Sequence, residues 1–190
     1  MQILLFSRRI FLFPFLLLYA VLLSANTFAQ NKNLSSSAQD TLVQTAREIM
    51  AAARYCTLIT VDSSGQPQAR IMDPFLPDDK MIVWFGTNSK SRKVRQIRND
   101  TRVTLFYFDK PGLGYVSIVG RATLINDPAA KKHYWKEQWK SFYPNRDMDY
   151  LLISVVPQKM EIVSIKHHIV SKQKSWAVPT VFLNHDTAGK

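Results

Sequence analysis

Thr87-Asn88-Ser89-Lys90-Ser91-Arg92-Lys93 follows an apolar run, Met81-Ile82-Val83-Trp84-Phe85-Gly86, and precedes Val94-Arg95-Gln96-Ile97-Arg98-Asn99. The first run is rich in β-branched and aromatic residues and reads as a buried strand. The last reads as a short helix. Three hydroxyls (Thr87, Ser89, Ser91) and three cations (Lys90, Arg92, Lys93) therefore gather where a strand hands over to a helix. A helix N-terminus presents unpaired N–H groups and the positive end of its dipole. With hydroxyl donors, a guanidinium fork and an ammonium added, the junction suits a phosphate dianion. The same residues also fit a solvated basic turn capped by Ser89 or Ser91.

Working outward, the chain reads as strands in hairpin order. Ser37 is placed to cap a helix over 38–53, with Leu42, Val43, Ala46, Ile49, Met50 and Ala53 on one face. Tyr55 to Val61 and Gln66 to Met72 are strands joined by the turn Asp62-Ser63-Ser64-Gly65. Further strands are expected over 102–108, 115–125, 151–156 and 160–165. Asp127-Pro128 starts a helix expected to carry Tyr134, Trp135, Gln138 and Trp139 and to end before Pro144. Such an order predicts a mainly β architecture, a closed antiparallel barrel with a few helices, because closure removes exposed edges. The domain spans 38–165, and the tail 166–190 is expected to dock in part, since Trp176, Val178, Val181 and Phe182 are apolar.

The first thirty residues read as an export signal. Arg8 and Arg9 precede an apolar run from Ile10 to Leu23, and Thr27-Phe28-Ala29 supplies a small-x-small cleavage pattern. The reading is a signal peptide over 1–29 and a polar linker over 30–37. The alternative, an uncleaved anchor, is disfavoured by a run short for a bilayer and interrupted by Pro14. Ser7-Arg8-Arg9-Ile10-Phe11-Leu12 resembles the twin-arginine motif of folded-protein export, whereas the very apolar core suits the general secretory route. The protein is thus expected to be periplasmic or secreted, with no stable membrane anchor after cleavage.

The formal charge of +11 leaves nucleic acid, anionic membrane or an anionic small ligand as classes of partner. The cations are dispersed, with small clusters at 90–98 and 166–174. The single cysteine, Cys56, excludes an internal disulfide and any redox or metal Cys spacing. His133, His167, His168 and His185 show no convergent metal spacing, so no metal is expected. No general acid, base or nucleophile is legible.

The ordered string Thr87-Asn88, Ser91-Arg92-Lys93, then Arg98-Asn99-Asp100-Thr101-Arg102-Val103-Thr104-Leu105-Phe106-Tyr107 resembles the pyridoxamine 5′-phosphate oxidase-like split barrels that bind flavin mononucleotide (FMN). It is most similar to their general stress protein branch. Leu58-Ile59-Thr60-Val61-Asp62, Arg70-Ile71-Met72, Tyr115 to Ala122 and Leu152 to Pro157 match in order and spacing. The resemblance implies an FMN-binding split β-barrel and a homodimer with the flavin between subunits. It implies phosphate contacts from Thr87, Ser91, Arg92 and Lys93, with Arg70, Ile71 and Met72 beside the ring. Tyr115 stands where the oxidases place a glutamine that reaches the partner's flavin. At the position where the oxidases carry a Lys for pyridoxamine phosphate, this chain has Phe75, which cannot hold a phosphorylated substrate by charge. The implied activity is flavin-dependent oxidoreduction of an unidentified small molecule other than vitamin B6. A non-catalytic flavin-holding protein is the alternative. A basic barrel that binds nucleic acid by stacking bases on the aromatics of the strands Val103–Phe108 and Tyr115–Val119 is the third reading, and an export signal argues against that partner.

Overall fold

In the computed structural model, residues 36–184 are described. The expected signal peptide, its twin-arginine motif, most of the expected linker, and His185 lie outside the described residues. Among the described residues no helix is long and apolar enough to cross a membrane.

The element order is α1 (Ser36–Ala53), β1 (Cys56–Val61), β2 (Pro67–Met72), β3 (Val83–Asn88), α2 (Arg92–Asn99), β4 (Arg102–Asp109), β5 (Gly114–Ile125), α3 (Pro128–His133), α4 (Arg146–Asp149), β6 (Tyr150–Ser164) and β7 (Thr180–Phe182). A 3₁₀ turn at Glu137–Trp139 lies between α3 and α4. Ser37 is helical, within α1 rather than capping it, and its carbonyl accepts from Thr41 Oγ1 at 2.9 Å.

All strand pairs are antiparallel, in the order β2-β1-β4-β5-β6-β3, with β7 added to β6. The expected full closure is not reached. β2 and β3 are the ends of the path, joined by a single bridge, Pro74 to Phe85, and by Phe75 N–H donating to the Trp84 carbonyl at 2.9 Å. The reason lies at Asp73-Pro74. A proline has no N–H to donate, so the edge cannot zip further. The outcome is a split barrel.

β6 holds the two halves together. It pairs with β5 along its length, with β3 through Tyr150 to Val155, and with β7 through Lys159 to Glu161. The expected break at Pro157 is instead a register shift within one strand, opposite Gly120. The carbonyl of Gln158 at that shift accepts from Leu183 N–H at 3.0 Å, which docks the tail. Val181 is buried there, whereas Trp176 and Phe182 remain exposed.

Alternation builds the core. Val103, Leu105 and Tyr107 of β4 point inward with Val116 and Ile118 of β5, Val83 and Phe85 of β3, and Ile153, Val155, Met160 and Ile162 of β6. The apolar stripe of α1, Leu42, Ala46, Ile49 and Met50, covers one opening of this interior. Each fully buried aliphatic or aromatic side chain contributes about 1.5–3 kcal/mol. A second cluster, Trp139, Tyr150 and Leu152 with Phe75, Trp84, Tyr134, Trp135 and Tyr143 around them, stands on the 126–150 excursion.

Candidate functional site: a cationic junction and an aromatic wall

β3 runs further than the apolar run suggests and ends at Asn88, so Thr87 is a buried strand residue. Its hydroxyl accepts from Lys93 Nζ at 3.1 Å and lies 3.2 Å from Ser91 Oγ. Ser91 occupies the N-cap position of α2 with extended backbone, yet its side chain makes no capping bond. The hydroxyl is turned to Thr87 instead. The capped-turn reading therefore fails at Ser91. Ser89 also caps nothing, since its hydroxyl donates to the Met148 carbonyl at 3.1 Å.

Arg70 extends inward from β2 beneath α2. Its guanidinium donates to Thr60 Oγ1 at 2.6 Å, to the Leu58 carbonyl at 3.2 Å and to Gln96 Oε1 at 3.0 Å. Thr60 Oγ1 also donates to Gln96 Oε1 at 2.6 Å, so the guanidinium is held by a closed polar network. Among the described residues Arg70, Arg92 and Lys93 have no carboxylate partner. Burial, then Arg70 and then Arg92, hold the Lys93 ammonium below the usual lysine range. Burial and then Arg92 lower Arg70 likewise. Three cations thus repel one another at a site that a bound anion would relieve.

A cavity of about 460 Å³ opens at this junction. Ile71, Met72 and Asp73 form one side, Gly86, Thr87 and Asn88 the floor, and Lys93 the cationic end. Trp139, Phe142 and Tyr143 form the opposite wall. Gly86 permits this wall: a Cβ there would lie 2.5 Å from both Trp139 Cζ3 and Tyr150 Cε2. Asp73 is neutralised by Lys136, whose Nζ donates to Asp73 Oδ1 at 2.6 Å and to the Pro74 carbonyl at 2.8 Å. The same ammonium sits 4.9 Å from the Phe75 ring centroid.

The cavity gathers Ile71, Met72, Thr87 and Lys93, and Ser91 joins through Thr87. Arg70 lies behind it in the polar network. Arg92 turns to a neighbouring groove with Arg95, Gln96 and Asn99, on the flank of α2 away from Lys93. Tyr115 is not brought to this cavity. It projects from the outer face of β5 and stacks on Phe106 at 5.5 Å between ring centroids.

The aromatic wall escaped the sequence reading because a single helix was expected from Pro128 to before Pro144. α3 instead stops at His133, and Tyr134 leaves helical geometry. Beyond that end, Lys136 reaches Asp73 and the Pro74 carbonyl from a non-helical backbone. Trp139 faces the cavity, while Trp135 packs edge-on to Tyr150 at 5.1 Å. The available signal was the density of aromatics over 134–143.

The molecule is an antiparallel split barrel with a half-buried cationic cradle at a strand–helix junction. The chain belongs to the pyridoxamine 5′-phosphate oxidase family, whose model, described as Pyridoxamine 5′-phosphate oxidase, matches residues 42–164. The family resemblance and the split-barrel fold read from the sequence are both borne out. Solved structures with this fold include a protein related to general stress protein 26 of Bacillus subtilis, from Clostridium acetobutylicum. It superposes with a TM-score of 0.62 at 18% identity over 76% of this chain and 96% of that one. General stress protein 26 from Bacillus anthracis superposes at 0.55 with 23% identity, covering 63% of this chain and 92% of that one. A NimC/NimA family protein from Clostridium acetobutylicum gives 0.55 with 16% identity, covering 66% and 89%. A search of curated proteins finds no match.

Proposed function

We propose that this protein is an exported, homodimeric FMN-binding split barrel that acts in flavin-dependent oxidoreduction of a small molecule. Members of the family typically bind a flavin or a related cofactor. The observation that carries the reading is the meeting of Lys93, Thr87 and Ser91, backed by Arg70, at the end of a cavity of ligand size with aromatic walls.

The donor set fits a phosphate ester with a planar ring system. Lys93, the two hydroxyls and the first N–H groups of α2 would bind the phosphate. Arg92, on the outer flank, would add field more than contact. The backbone of Ile71 and Met72 would line the ring, with Trp139 and Tyr143 excluding water on the far side. A bound flavin would supply the electron-transfer chemistry. The residues of this chain would bind, orient and shield it.

The ammonium of Lys136 is committed to Asp73 and Pro74, and Phe75 is packed against Tyr134 and Trp139. Neither is free to grip a second phosphate, which supports a substrate other than pyridoxamine phosphate. The same neutralised Asp73 favours a second reading, a flavin-holding protein without catalysis, because among the described residues no uncommitted carboxylate lines the cavity.

The partner subunit is proposed to cover the outer face of β4 and β5. Phe106, Phe108 and Val119 are exposed there beside Tyr115, with Ile71 exposed on β2. A second copy on this face would bring Tyr115 toward the other subunit's cavity.

The deciding experiment is purification of the mature protein, its visible spectrum, and identification of the released chromophore as FMN, another flavin or a deazaflavin. A colourless protein with no affinity for any of these overturns the cofactor reading. Turnover assays with artificial and nicotinamide donors on loaded protein then separate catalysis from holding.

A further inference from the structure

A second cavity, of about 380 Å³, opens where the turn after β5 meets α3 and α4. Its lining is Asn126, Pro128, Lys131, Lys132, Arg146 and Asp147, and it shares no residue with the first cavity.

Lys131 is the only buried cation among the described residues, 7% exposed. Its Nζ donates to Asn126 Oδ1 at 3.1 Å and to the Asp147 carbonyl at 2.8 Å, both neutral acceptors. An ammonium has three protons, and among the described residues the third has no acceptor. Neither Lys131, Lys132 nor Arg146 has a carboxylate within ion-pair distance among the described residues. Arg146 is held in place without neutralisation: it donates to the Lys131 carbonyl, and its guanidinium lies 4.1 Å from the Trp135 ring centroid. Asn126 has spent its oxygen on Lys131, which leaves its amide protons as donors. The lining therefore offers donors, some of them locked, and its single acid, Asp147, leaves the three cations in excess.

Burying an ammonium against neutral partners alone is costly, and a bound counter-anion would offset that cost. We propose that this cavity is a second anion site, one that takes a phosphate group, either the free ion or a small monoester. Its lining suits a compact oxyanion, since a guanidinium, an ammonium and an amide border the same small cavity. Its occupation would also brace the 126–150 excursion, because Arg146 packs on Trp135, which in turn packs on Trp139 of the first cavity's wall.

The site is tested by titration calorimetry of the mature chain at fixed ionic strength, with inorganic phosphate and, separately, glycerol 3-phosphate. The Lys93→Ala variant weakens the other cationic cradle and serves as the background. In it, phosphate is expected to bind still, and adding Lys132→Glu or Arg146→Gln should weaken that binding by about tenfold or more, as loss of a charge-assisted contact requires. Lys132 is exposed, so its variant folds whatever becomes of Arg146. Tighter binding of the monoester identifies it as the ligand class, and equal binding points to the free ion. Absence of phosphate binding in the Lys93→Ala background, or binding that Lys132→Glu leaves unchanged, overturns the proposal.

Discussion

Lys93 Nζ donates to Thr87 Oγ1 at 3.1 Å, so the first turn of α2 is tied to the last residues of β3 by a half-buried ammonium. The contact spends one of three protons and leaves two for a ligand. Lys93→Ala should therefore weaken FMN binding by about 1.5–3 kcal/mol and riboflavin binding little, because only the phosphate is lost from the second ligand. Arg92→Ala, on the exposed flank, should cost less than Lys93→Ala. Flavin fluorescence quenching with both ligands reads this directly, and equal losses for FMN and riboflavin would remove Lys93 from the phosphate.

The same ammonium sets a pH dependence. Its pKa in the folded protein lies below the ordinary 10.5 because of burial, Arg70 and Arg92. The folded state then binds that proton less readily than the unfolded state does. Below the folded pKa the cost is present in full, and it is relieved as pH rises from that value toward 10.5. The flavin-free protein should gain thermal stability across that window, relative to Lys93→Met. A bound phosphate ester should flatten the difference. Parallel melting curves for the two proteins at each pH would contradict this.

Gly86 faces Trp139 and Tyr150 with no room for a methyl group. Gly86→Ala should destabilise by about 1–3 kcal/mol through overpacking. It should also displace Trp139 and cut ligand affinity. Denaturant unfolding paired with tryptophan emission checks both effects, and an unperturbed spectrum with wild-type stability would contradict the close approach.

Phe106 and Phe108 lie on the exposed side of β4, beside Tyr115. If a second copy covers this face, Phe108→Asp should yield monomers with weakened flavin binding, since each site then lacks its partner. The fold should survive, because the side chain is 52% exposed in the single chain. Light scattering on loaded wild-type and variant protein decides it. A loaded wild-type monomer would contradict the shared site.

Export is tested from the sequence. Arg8→Lys with Arg9→Lys keeps the positive charge ahead of the apolar run but removes the guanidinium pair. A twin-arginine substrate should then stay in the cytoplasm, whereas a general secretory substrate should leave as before. Cell fractionation with a flavin assay of the periplasm distinguishes the two routes.

Local chemistry made much of this molecule legible in one dimension. Alternation over 102–108 and 115–125 marked the inward faces, since a strand's period of two sorts side chains without help from the rest of the chain. Asp62 and Gly65 marked the first turn: the carboxylate binds the Ser64 and Gln66 N–H groups at 2.9 and 3.0 Å, and Gly65 takes a φ of 84°. Asp127-Pro128 marked the start of α3, and the hydroxyl and cation run over 87–93 marked the cradle. Tertiary structure decided the rest, because the deciding contacts join residues far apart in the chain. The expected long helix stops at His133, Lys136 meets Asp73 beyond it, and Trp139 lines the cavity. Arg92 and Lys93 are neighbours in sequence, but the 3.6-residue turn of α2 sends one to an outer groove and the other to Thr87. The barrel stays split because β2 and β3 meet only at Pro74, a contact set by the path of four intervening strands and visible in no local pattern.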